Sequence, residues 1–158
     1  MKKLDEESAL AIVFANTRRK KRTADLITVA KSFEYLVKLY RSRKAVAEKV
    51  GLSTEMVREF LKVLSLPDQV KKMVSSREID GLDVALEISM LEDAEKQIAA
   101  AKTIAGLPSK DVRDIRRLAE HADLPIEESK RMVLESKPKG LHIFVMDFDD
   151  ETYDALNA

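Results

Sequence analysis

The chain has 158 residues, 45% of them hydrophobic, 35% charged and 5% aromatic, with no Trp, no Cys and a formal net charge of zero. That length holds one core, or one core with a small appendage, and the composition, with so few aromatic residues, favours a helix-rich protein over a β-sandwich. The lack of cysteine excludes disulfides, iron–sulfur clusters, thiol nucleophiles and Cys-based zinc sites. It suits a reducing cytoplasm, where the protein is expected to work. No apolar run has the length of a membrane span, so no membrane partner is expected. Asp5, Glu6 and Glu7 precede the apolar run 9–15, which speaks against a signal peptide. The zero net charge hides an asymmetry. Residues 1–62 carry 15 Lys and Arg against 8 Asp and Glu; residues 63–158 carry 13 against 20. A basic lobe fits nucleic acid, although a solvated helix surface has the same composition.

In chain order, "EESALAIVFAN" (6–16) reads as an apolar helix. "TRRKKRT" (17–23) follows, with Arg18, Arg19, Lys20, Lys21 and Arg22 in succession. Five adjacent cations are too costly to bury, so this is a loop, an arm or a helix end, able to make non-specific phosphate contacts. Residues 25–40 place apolar side chains at helical spacing on one face. Ser42 can cap the next helix and Gly51 can end it, since glycine accepts the left-handed backbone of a tight exit. Ser53 caps the following helix, whose inward positions are Met56, Val57, Phe60, Leu61 and Leu64. Pro67 opens a helix over 68–75. Further helices are expected at about 80–91, 92–105, 109–121 and 125–136, separated by "GLPSKD" and "ADLPIEE". "SKPKG" reads as a linker, and "LHIFVMDF" (141–148) as a short β-strand. The expected division is therefore 1–31, a helix with a basic arm and linking helix; 32–136, a helical DNA-binding domain; 137–140, a linker; and 141–158, a strand and the start of a helix.

"KAVAEKVGLSTEMVREFL" (44–61) carries the function. Two short helices, the first stopping at a glycine and the chain turning within two residues, make a helix-turn-helix, which needs a small residue at the crossing and apolar residues inside. Ala47 is the small residue, Gly51 the turn, and Val46, Val50, Leu52, Val57 and Phe60 the inner positions. The outward side of the second helix then holds Ser53, Thr54, Glu55, Arg58, Glu59 and Lys62. The start of such a helix enters the major groove, where Ser, Thr and Arg reach bases or phosphates. Glu55 fits opposite a cytosine amine or as a partner to Arg58. Arg43 and Lys44 lie in the first turn of the preceding helix, where backbone N–H groups also favour phosphate. An ordinary helical hairpin with a glycine cap would share the pattern; the surrounding basic charge favours DNA.

With these residues in view, the chain resembles the central DNA-binding region of the ParB/KorB family of partition proteins. The likeness rests on "SRKAVAEKVGLSTEMVREFLKVLSLPDQVKKMVSSREID" and on "LEDAEKQIAAAKTIAGLPSKDVRDIRRL", together covering about residues 32–119. Upstream, Asn16 and Arg19 match part of a Glu-Asn-x-Gln-Arg motif at the end of that family's nucleotide-binding domain, with Ala15 and Arg18 replacing the glutamate and glutamine. The resemblance implies an all-α, multi-helix fold with a helix-turn-helix at about 43–64. It implies double-stranded DNA as the ligand, and a role in plasmid or chromosome partition, or in transcriptional repression. A partition ATPase is the protein partner it would add. The family's Gly-x-Arg-Arg phosphate motif has no counterpart here, no glycine preceding Gly51, so no cofactor is expected. The family's Gly-His-Ala-Arg stretch is replaced by Leu82–Ala85. That replacement supports a second reading, a protein-interaction adaptor that keeps the fold without specific DNA binding and works through its acidic half.

No catalytic constellation is present, so an enzyme is not expected. His121 and His142 are isolated from each other and from metal-ligand spacing. Asp147, Asp149, Asp150 and Glu151 lack the glycine-punctuated loop of a calcium site, so no metal is expected. The final strand cannot stand alone in water. It can exchange with a second chain, dock on its own, pair with a neighbour in a crystal, or fray. Dimerisation is the favoured reading, with Ile143 and Val145 at the contact of a homodimer.

Overall fold

The computed structural model describes residues 4–18 and 21–137. Among the described residues the chain is wholly helical: α1 (Glu6–Thr17), α2 (Leu26–Tyr40), α3 (Arg43–Val50), α4 (Thr54–Val63), α5 (Asp68–Ser75), α6 (Leu82–Ser89), α7 (Ala94–Ile104), α8 (Ser109–Ala122) and α9 (Ile126–Glu135). Each of these was expected from spacing and caps, with ends differing by one or two residues. The expected strand over 141–148, its contact residues Ile143 and Val145, and most of the 137–140 linker lie outside the described residues.

Local chemistry sets the helix starts. Carboxylates or hydroxyls of Asp5, Asp25, Ser42, Ser53 and Asp93 accept a backbone N–H from the first turns of α1, α2, α3, α4 and α7. Proline immediately precedes α5, α8 and α9, holding the extended φ and ψ that lead into a helix. The end of α2 has no glycine. Arg41 itself takes the left-handed conformation there, at φ 54°.

Packing runs along the chain in two overlapping groups. Helix α2 is the spine of the first, touching α1, α3, α4 and α5. Helix α6 links it to the second, touching α4 on one side and α7 and α8 on the other, and α9 closes over α7 and α8. Phe33 of α2 and Phe60 of α4 stack with ring centroids 5.0 Å apart at the centre of the first group. One core cluster extends from Ala9 to Ile115. The expected domain boundary at 31/32 falls inside α2, whose buried residues run from Leu26 to Leu36 into that same core.

Between α6 and α8 lies a buried charge. Glu87 is 6% exposed and accepts from Arg113 Nε at 2.9 Å and Arg116 Nε at 2.7 Å. Burial alone would raise its pKa. The two guanidinium hydrogen bonds outweigh that and hold the carboxyl below its ordinary range.

Candidate nucleic-acid interface

The turn between α3 and α4 is built by backbone geometry. Gly51 has φ 73°, and its N–H donates to the Glu48 carbonyl while the Leu52 N–H donates to the Ala47 carbonyl at 2.9 Å. Two such bonds around a left-handed residue close a helix end, with Leu52 folded back on the core. Ser53 then caps α4, its Oγ accepting from the Met56 N–H at 3.0 Å. Val46, Ala47 and Val50 on α3 and Val57, Phe60 and Val63 on α4 are buried in the same core, and the two helices pack on each other.

The opposite side of α4 faces outward. Ser53, Thr54, Glu55, Arg58 and Lys62 are exposed, and Glu59 is half-buried. The Arg58 guanidinium and Glu55 carboxylate are 2.5 Å apart, three residues along the helix, with the arginine side chain 64% exposed. An exposed pair of this kind is worth about 0–1 kcal/mol, so an incoming phosphate or base edge can take Arg58 over. Lys62 has no side-chain partner among the described residues. At the start of α3, Arg43 is exposed without a partner among the described residues, and Lys44 makes only a loose 4.0 Å approach to Glu48.

The basic segment is less free than its composition implies. Arg19 and Lys20 lie outside the described residues. Lys21 is exposed. Arg18 donates to the Val50 carbonyl at 3.4 Å and lies over the Phe14 ring, which fastens the end of α1 against the α3–α4 turn. Arg22 binds the carbonyl and carboxylate of Asp80, and Arg77 donates back to the Thr23 carbonyl at 2.6 Å. The loop before α2 is thereby clasped to the loop before α6. Asn16 is buried and organises the same loop: its Oδ1 accepts from the Thr23 and Ala24 N–H groups, both at 2.8 Å. It is a helix-end residue.

Lys31, Lys71 and Lys72, together with Glu34 and Asp68, line a groove of about 780 Å³ between α2 and α5. About 40 positions separate Lys31 from Lys71 and Lys72, so no local run reveals them. Among the described residues no group of His, Cys, Asp and Glu could hold a metal ion, and no helix is long and apolar enough to cross a membrane.

A family model described as the ParB HTH domain matches residues 23–123. Among solved structures, the chain is similar to the C-terminally truncated chromosome-partitioning protein ParB from Caulobacter crescentus complexed to the centromeric parS site. The identity is 24% and the TM-score 0.57, over 73% of this chain and 61% of that one. It is also similar to the DNA binding domain of the chromosome-partitioning protein ParB complexed to the centromeric parS site, at 22% identity and TM-score 0.55, over 98% of each chain. The chain thus spans about three-fifths of the first protein's length. At these identities the likeness is one of fold. No curated protein matches the sequence.

Proposed function

The chain belongs to the ParB helix-turn-helix domain family, and from that premise we propose that it binds double-stranded DNA sequence-specifically, with α4 in the major groove. The observation that carries this reading is the two-sidedness of α4. One face is locked into the core through Val57, Phe60 and Val63. The other turns Thr54, Arg58 and Lys62 outward beyond a rigid, glycine-closed turn. Arg58 is the candidate for base contact, once released from Glu55. Ser53, Lys62, Arg43 and Lys44 are positioning contacts to phosphate, with the exposed Lys21 adding sequence-independent attraction. The proposed role is replicon partition, because both similar structures hold a centromeric site. Repression of transcription would use the same interface.

A gel-shift series at several salt concentrations tests the reading, with sites first selected from random duplex DNA. Arg58→Ala/Lys62→Ala should weaken the selected site about tenfold or more. It should also flatten the salt slope by roughly one for each phosphate that the variant no longer neutralises. Equal affinity in the double variant, with no dependence on salt, would remove α4 from the interface.

A further inference from the structure

The groove between α7, the end of α8 and the start of α9 belongs to no part of the DNA reading. It encloses about 520 Å³. Leu91, Ala119, Leu124 and Ile126 form an apolar floor, and Ala99 lies along one side. Glu92, Glu120, Asp123 and Glu127 stand around it against a single lysine, Lys96. Local partners absorb part of that charge: Glu120 pairs with Arg116, Glu92 with Lys96, and Glu127 accepts from the Thr103 hydroxyl. Asp123, in the left-handed conformation at the end of α8, has no charged partner among the described residues. The rim keeps a negative excess around an apolar cleft.

We propose that this groove docks a basic amphipathic helix of a partner protein, its apolar residues on the floor and its Lys or Arg side chains on the rim. The sign of the rim selects this occupant. Duplex DNA is repelled. So is the chain's own segment 138–158, which carries Asp147, Asp149, Asp150, Glu151 and Asp154 against Lys139 alone. Helical anchors spaced three or four residues apart match a short apolar groove. Helix α4 packs on α2, α3 and α6, whereas α7–α9 build the groove, so the two surfaces are formed by different helices.

The probe is a fluorescein-labelled synthetic peptide of about four helical turns, with Leu on one face and Lys on the other, titrated into the full chain by anisotropy. A matching Leu/Glu peptide is the control. The Lys peptide should bind saturably and the Glu peptide should not. Ala99→Phe, which fills the cleft, should weaken binding at least tenfold. Glu92→Gln/Asp123→Asn, which keeps shape and removes charge, should weaken it several-fold and lower its salt dependence. Neither variant should change the melting temperature by more than a few degrees or alter DNA affinity. If Ala99→Phe fails to fold, the charge-neutralised variant carries the test. Four outcomes would overturn the proposal. They are no saturation at about 1 mM peptide, equal binding of the Glu peptide, undiminished binding by the variants that fold, and binding that emerges only after residues 138–158 are removed.

Discussion

Gly51 decides the angle between α3 and α4. Its φ of 73° is left-handed, and a Cβ placed there would meet nothing nearer than an Arg18 guanidinium nitrogen at 3.8 Å, an ordinary contact. The cost of Gly51→Val is therefore backbone strain, about 1–3 kcal/mol, and not collision. Thermal melting should fall by several degrees and DNA affinity should fall with it, since the turn aims α4; unchanged melting and unchanged affinity together would mean the turn does not depend on glycine. Asn16 does comparable work for the first loop. Replacing it with Ala leaves the Thr23 and Ala24 N–H groups without their acceptor and should cost roughly 2–4 kcal/mol, read as a shifted urea midpoint at constant slope. An Asn16→Ala variant as stable as the parent would show that solvent replaces the side chain.

At the scale of elements, Glu87 joins α6 to α8 and makes their contact sensitive to pH. Its folded pKa lies below its unfolded value. The stabilisation is therefore fully present above that unfolded value and is lost as pH falls through the folded value. Removing one member of a buried pair costs on the order of 3 kcal/mol. Glu87→Gln should lose stability of that order at pH 7, and the gap to the parent should narrow as pH drops below about 4. Urea midpoints measured from pH 7 down to about 2.5 would show it. A gap that stays constant to the lowest pH would place the effect in shape, not in charge. Glu6 shifts in the same direction, held low first by its hydrogen bond from the Tyr40 hydroxyl and then by Lys49, and it ties the start of α1 to the end of α2. Because that group is exposed, its removal should change melting far less than Glu87→Gln.

For the whole molecule, the described core is built from residues 9–115 and closed by α9. Deleting residues 139–158 should leave the helical domain folded, with a melting temperature within a few degrees of the parent. The strand reading of 141–148 adds that sedimentation should then shift from dimer to monomer; a deleted chain that still dimerises would move the contact elsewhere. The helices were legible in the sequence because their causes are local: apolar spacing of 3.6, capping side chains, glycine exits and prolines. The outward row of α4 was legible too, since fixing one buried face fixes the other. What the sequence could not disclose depends on residues distant along the chain. Arg22 reads as one more cation in a basic run until Asp80, 58 positions away, binds it. Asn16 reads as a helix end, but its buried hydrogen bonds need the loop to fold back. Arg41 ends α2 in a left-handed conformation with no glycine to announce it. Glu87 reads as surface charge until α8 supplies two arginines. The groove over α7–α9 exists only once three helices meet. Short-range sterics and hydrogen bonding determine which residues are helical. Which charges stay free to meet a ligand is decided by tertiary packing, because the opposite charge or carbonyl that neutralises each one comes from elsewhere in the chain.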